Sequence, residues 1–283
     1  MTIQIAGGSI IGTDHAKAGQ PGYTNNHDSF SWRKNDEILV AAVLDGCGSG
    51  KHSEVGSNIA SQMLTQILFD EVKRITQYSS CVTLEKSFWN RIQTVLLSNL
   101  TVTAKSMGES ISEIVNNYFL FTFVGVVVIH GTAYIFSFGD GVYIIDGEIT
   151  ELRPFPNDAP PYLMYNLTGS SLFESNPKML DIQVNEILSP KSYSNILLGT
   201  DGVIDFISLE ETYIPNQNNV VGPISQFWEE DKYTSNPDII RRRLAIINRE
   251  NISEGKIVGG LLHDDTTLIV IRKIDDVQQE NKE

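Results

Sequence analysis

The chain has 283 residues, 41% hydrophobic and 20% charged, which is enough to bury the core of one large domain or of two small ones. Its formal net charge of −14 argues against a nucleic-acid partner, whose phosphates are held by Lys and Arg, and against docking on an anionic membrane surface. Cys47 and Cys81, the two cysteines, have a spacing that suggests neither a disulfide scaffold nor a zinc site.

The N-terminal stretch MTIQIAGGSIIGTDHAK has no basic flank ahead of its apolar residues and so lacks the layout of a signal peptide. It contains the first strand-like run, TIQIA, and the second is ILVAAVL from Ile38. Helical texture follows. Val55, Ile59, Met63 and Ile67 recur every four residues with Leu64, Leu68 and Val72 beside them, so a helix is predicted from near Ser53 to near Ile75. Leu84, Phe88, Ile92, Val95 and Leu96 mark a second helix, and Ile111 to Asn117 a third. These apolar stripes read as core packing.

The apolar run from Phe119 to Ile129 is the longest, yet too short to cross a bilayer as a helix. A soluble, cytoplasmic protein is expected. With AYIFSF from Ala133 and VYIID from Val142, that run forms strands joined by turns at His130-Gly131 and Gly139-Gly141, hence antiparallel; Asp146-Gly147 adds a hairpin signal. Residues 150–190, rich in Pro, Asn and Ser, read as an excursion from the domain rather than a boundary. NILLGT from Asn195 and TTLIVIRKI from Thr266 complete the strands, and the tail 275–283 is expected to be disordered. Helices bunched between two sets of antiparallel strands indicate an α+β layered domain over residues 1–274.

Several aspartates share one setting, the end or turn of an apolar strand beside a small residue. They are Asp45 in VLDG, Asp140 in FSFGDG, Asp201 in LLGTDG and Asp264 in LLHDDTT, with Asp28 in NNHDSF ahead of the second run. Singly, an Asp-Gly is more often a turn than a ligand. Together at strand ends they can bring several carboxylates to one rim, where like charges are costly unless cations neutralise them. Carboxylates with backbone carbonyls suit Mg²⁺ or Mn²⁺, and no CxxC, HExxH or His cluster suits zinc.

The motifs and their order resemble the metal-dependent protein phosphatases of type 2C, in particular bacterial serine/threonine phosphatases. The matching stretches are Asn26-His27-Asp28, Asp45-Gly46-Cys47-Gly48, Gly139-Asp140-Gly141, Asp201-Gly202-Val203-Ile204-Asp205 and Asp264-Asp265-Thr266-Thr267. An N-terminal Ser9, Gly12 and His15 is similar to one bacterial branch. The resemblance implies two antiparallel sheets packed as a sandwich with helices outside, in α-β-β-α layers. It implies two Mg²⁺ or Mn²⁺ ions, with Asp45 bridging both and Gly46 lending its carbonyl. Asp201 and Asp264 complete the first ion's shell and Asp28 supports the second, while a third, weaker metal falls to Asp140, Asp201 and Asp205. The implied reaction is hydrolysis of phosphoserine or phosphothreonine in a protein substrate of a cognate serine/threonine kinase, by a water bridging the two ions. The flap position beside the family's site corresponds to about 150–190, where Pro160, Pro161, Tyr162 and Tyr165 are candidates for shaping access.

Departures from the family pattern leave a second expectation open. Tyr23 stands where the family often has a phosphate-binding Arg, His27 where Glu or Gln is common, and Cys47 where eukaryotic members have His. His15 is a candidate phosphate contact, as are Lys51 and His52, whereas Cys47 reads as a neutral small residue, and His130 and His263 as structural or exposed. Tyr23 motivates the alternative of a catalytically weak phosphatase-like module that binds phosphoproteins or regulates a partner. A metal-dependent phosphodiesterase or nuclease is disfavoured by the charge and the motif order.

Overall fold

The computed structural model describes residues 2–15, 25–78, 82–108, 110–152, 155, 159–253 and 256–274, with side chains described throughout except over 251–258. Tyr23, Cys81 and the tail from 275 lie outside the described residues.

Strand β1 (Thr2–Ile10) is followed by β2 (Ser29–Lys34) and β3 (Ile38–Gly46). Three helices come next: α1 (Ser53–Thr76), α2 (Lys86–Met107) and α3 (Ile111–Tyr118). Strands β4 (Phe121–Ile129), β5 (Thr132–Phe138), β6 (Val142–Ile145) and β7 (Glu148–Glu151) lead to a short helix α4 (Tyr165–Thr168), then β8 (Gln183–Leu188) and β9 (Asn195–Gly199). The chain continues through α5 (Gly202–Ser208), α6 (Gln226–Glu229), α7 (Lys232–Ser235) and α8 (Ile239–Ile247). A small hairpin of β10 (Asn251–Ser253) and β11 (Lys256–Val258) precedes β12 (Thr266–Ile274). The three predicted helices are present, and Ser110 caps the third by accepting the Glu113 N–H at 3.4 Å.

Two compact units result: one is Met1–Asn26 with Val142–Glu151 and Lys191–Glu283, the other His27–Gly141 with Leu152–Pro190. The second unit is built on an antiparallel sheet of order β2-β3-β4-β5-β8. Nearly every residue of β3 and β4 is buried, which is why these strands read as continuous Val, Ile and Ala runs instead of alternating. Helix α1 packs on β2 and β3. Its Leu64, Leu68 and Val72, with α2 residues Trp89, Ile92 and Leu96, share one core with Val40, Ala42 and Leu44 of β3. Val55, Ile59, Met63 and Ile67 lie on the half-buried shoulder of that face.

The first unit carries the other antiparallel sheet, of order β1-β12-β9-β6-β7. Helix α8 crosses β1 and buries Ile240 and Leu244 with Val142, Leu197 and Leu268. Phe206 meets Phe227 in a tilted pair at 5.3 Å between ring centres, and Phe227 meets Tyr233 edge-on at 4.9 Å. Pairing of β1 with β12 sets Ser9 opposite Thr267, so the N-terminal element lies beside the Asp264-Asp265 turn. Two five-stranded antiparallel sheets with packed helices make the chain α+β, as expected. Among the described residues no helix is long and apolar enough to cross a membrane.

Candidate metal centre

In the second unit, three of the predicted residues converge at one end of the sheet. Asp45 and Gly46 end β3, opposite Thr122 and Phe121 of β4. Gly46 has to be glycine: a Cβ there would fall 2.6 Å from the His27 carbonyl oxygen and 3.2 Å from the Ser53 carbonyl carbon. That close approach seats the His27-Asp28 segment directly against the Asp45 loop. Asp28 is 5% exposed, and Ser57 of α1 donates its hydroxyl to the His27 carbonyl at 2.5 Å. The loop after Gly46 is wired by its backbone. The Cys47 N–H donates to the Leu120 carbonyl at 2.9 Å, and the Cys47 carbonyl accepts the Gly50 N–H at 2.9 Å and the Ser53 hydroxyl at 2.7 Å. Helix α1 starts without a side-chain cap, its N-cap position being His52, and the Ser53 hydroxyl in its first turn holds the loop.

Asp140 occupies the β5–β6 turn between Gly139 (φ 86°) and Gly141 (φ 124°). Tyr162, from the 150–190 excursion, lies near Cys47, Asp45 and Asp140, and its phenol is pushed well above the ordinary range, first by burial and then by Cys47 and the two carboxylates. Its ring meets Tyr165 edge-on at 5.4 Å. Pattern reading missed Thr122, which is 2% exposed and has a hydroxyl without a hydrogen-bond partner among the described residues, beside Asp45 in register and against Gly139. Its position is set by strand register, which no local motif encodes.

In the first unit, Asp201 sits where β9 gives way to α5, and Asp264 and Asp265 precede β12. Burial and then the charge of Asp201 push the Asp264 carboxyl up to about 6, the crowding of like charges anticipated from the motif positions. Asp265 is 2% exposed, accepts the Gly12 N–H at 2.7 Å and lies 3.1 Å from His15 Nδ1. The Asp264 carboxylate accepts the Asp265 N–H at 2.8 Å and lies 3.8 Å from His15 Nδ1. His15 is raised above its ordinary pKa, chiefly by the Asp265 hydrogen bond and against the cost of burial. Gly12 is a second obligatory glycine, since a Cβ would fall 2.3 Å from the Asp264 carbonyl carbon. Asp205 is exposed, one turn along α5 from Asp201.

Of the other candidates, His52 stacks on Tyr118 at 5.3 Å and faces Glu54 at 3.4 Å, and Lys51 is exposed. His130 forms a turn at φ 47°. His263 is exposed.

Within the second unit, the Asp28 and Asp45 carboxylates and the Gly46 carbonyl are donor types that suit hard divalent cations. Within the first unit, the charge of Asp201 adds to burial in raising Asp264, a crowding that a cation would relieve.

A family model described as protein phosphatase 2C matches residues 11–236. The chain belongs to the protein phosphatase 2C family. Solved structures of similar fold include a single-site variant of a bacterial serine phosphatase, 13% identical, with a TM-score of 0.53 over 97% of this chain and 100% of that one. The serine/threonine phosphatase Stp1 from Staphylococcus aureus is also 13% identical, with a TM-score of 0.50 over 97% and 96%. A sex-determining protein of C. elegans, 13% identical, gives a TM-score of 0.53 over 96% of this chain and 65% of its own. No curated protein matches the chain by sequence. At such identities the likeness shows the fold, and protein phosphatase 2C membership rests on the family model.

Proposed function

We propose that the chain is a protein serine/threonine phosphatase that hydrolyses phosphoserine and phosphothreonine with two Mg²⁺ or Mn²⁺ ions. Asp45, Gly46, Asp201 and Asp264 would hold the first ion and Asp45 and Asp28 the second, with a third at Asp140, Asp201 and Asp205. Family membership supports the protein phosphatase class. The observation that carries the metal reading is the Asp201–Asp264 pair, in which one carboxyl is pushed up to about 6 beside the other. Bound there, a pair of divalent ions supplies an acidified water for in-line attack on phosphorus and offsets charge on the phosphoryl oxygens.

The chain's own residues hold the geometry. Gly46, packed on the His27 carbonyl, keeps the carbonyl and carboxylate donors of β3 beside Asp28. Asp265 lies 3.1 Å from His15 Nδ1 and orients the ring, and His15 would contact a phosphoryl oxygen. Tyr162 brings the 150–190 excursion close to Cys47 at the end of the Asp45 loop. Hydrolysis is expected of a phosphothreonine peptide and a small aryl phosphate in Mn²⁺, and Asp45→Asn should abolish both. Wild-type turnover in that variant would overturn the proposal. Background turnover by the native chain in saturating Mn²⁺, with tight phosphoprotein binding, would instead establish the phosphatase-like binding module.

A further inference from the structure

In the first unit, His15 and Asp264 stand on two irregular segments drawn from opposite ends of the chain. Residues 11–15 follow β1, and residues 262–265 precede β12. The segments run side by side. The Thr13 N–H donates to the Leu262 carbonyl at 2.9 Å, the Asp14 N–H to the His263 carbonyl at 3.0 Å, and the Gly12 N–H to Asp265 at 2.7 Å. Sites carried on loops are held less precisely than sites on helices or strands, so the geometry here depends on what anchors the two loops.

One side chain reaches both. Asn248, at the end of α8, donates its Nδ2 to the Ile11 carbonyl at 2.7 Å, and its Oδ1 accepts the Leu262 N–H at 2.9 Å. Its own N–H donates to the Leu244 carbonyl at 2.9 Å, so the amide is carried on the helix terminus. Helix α8 is in turn seated on β1: a Cβ on Gly8 would fall 2.6 Å from the Arg241 nitrogen, and Ile240, Leu244 and Ile247 are buried. The chain also wraps closely around Asn248, since a Cβ on Gly260 would fall 2.3 Å from both its carbonyl oxygen and its Oδ1. Donating to one loop and accepting from the other needs a side chain with both functions, which the amide of Asn supplies.

We propose that Asn248 is a positioning residue for the phosphatase reaction, clamping residues 11–15 and 262–265 to the end of α8 and so fixing where His15 and Asp264 stand. It touches neither substrate nor ion. It acts through the two loops, as outer partners that orient metal ligands do. The inference rests on the reading of Asp264 as a metal ligand and His15 as a phosphate contact.

The test compares the full native chain with Asn248→Ala, which removes both side-chain hydrogen bonds, and Asn248→Asp, which keeps the acceptor for Leu262 and loses the donor to Ile11. Ile240→Val, which loosens α8 only through its core, is the control for lost stability. Two quantities are measured: amide hydrogen exchange in EDTA, and the Mn²⁺ concentration that gives half the maximal rise in melting temperature. Asn248→Ala should speed exchange at Gly12, Thr13 and Asp14, none of which bonds Asn248, and raise the Mn²⁺ midpoint about tenfold or more. Asn248→Asp should speed exchange at the same three amides while Leu262 stays protected. Ile240→Val should lower the melting temperature and leave the Mn²⁺ midpoint at its native value. Native exchange at Gly12–Asp14 in Asn248→Ala, or a native Mn²⁺ midpoint, overturns the proposal, as does an equal midpoint rise in Ile240→Val. A native chain whose melting ignores Mn²⁺ would overturn the metal reading instead, and exchange in EDTA would still decide whether Asn248 clamps the two loops.

Discussion

Replacing Asp264 with Asn should stabilise the metal-free protein at high pH and leave it unchanged at low pH. Asp264 is held at about 6, first by burial and then by Asp201, against an ordinary 3.8. For a fully buried group that difference costs the fold about 3 kcal/mol once the carboxyl ionises. The side chain is 48% exposed, so solvent screening reduces the cost to about 1–1.5 kcal/mol. The sign follows from the raised value: the folded state binds the proton more tightly than the unfolded one. No penalty exists below about pH 4, the penalty grows as pH rises toward about 6, and it is complete above that. Asn keeps an acceptor for the Asp265 N–H, which donates to Asp264 at 2.8 Å, and carries no charge. In EDTA at about pH 8 the variant should melt about 2–5 °C above the native chain, and the two should coincide near pH 4. Added Mn²⁺ should raise the native melting temperature far more than that of the variant. A variant that melts at or below the native temperature at pH 8 in EDTA would refute the crowding of Asp201 and Asp264.

Two other substitutions probe the same rims. Gly46→Ala forces a methyl toward the His27 carbonyl, 2.6 Å from the new Cβ, a rigid backbone contact. A loss of about 1–3 kcal/mol in urea unfolding is expected, together with a weaker Mn²⁺ requirement curve for hydrolysis; native stability in this variant would show the approach to be slack. Asp265→Asn removes the main cause of the raised His15 pKa, so the His15 ring protons should titrate at lower pH by NMR. The stabilisation that His15 contributes is present below about 6.5 and lost as pH rises through its raised value. The variant's stability deficit should therefore be largest in acid and shrink above neutrality, and an unshifted His15 titration would exclude the Asp265 contact.

Local pattern carried the sequence far where burial is continuous or strongly periodic. Strands β3 and β4 are apolar on nearly every residue, β12 carries an unbroken Leu268–Ile271 run, and α1 and α2 show a helical repeat over many turns, so their identity is written in consecutive residues. Strand β2 (SFSWRK) and edge strand β8 (QVNEIL) were not legible: each mixes polar and apolar residues, and pairing with β3 or β5 makes them strands. Helix α5 is too short for a stripe to register. In α8, Ile240, Leu244 and Ile247 do lie at helical spacing, but over nine residues.

The candidate metal ligands divide the same way. Asp28, Asp45, Asp201 and Asp264 could be singled out because each stands at a strand end beside small residues, a property of the immediate neighbourhood. Sequence also supplied the order of motifs, and with it the family. It gave no sign that the neighbouring Asp265 is buried; the pairing of the first strand with the last carries the Gly12 N–H onto it across 253 residues of chain, with His15 Nδ1 3.1 Å away. Burial and hydrogen bonding there are set by contacts between remote segments, which only the folded chain brings together.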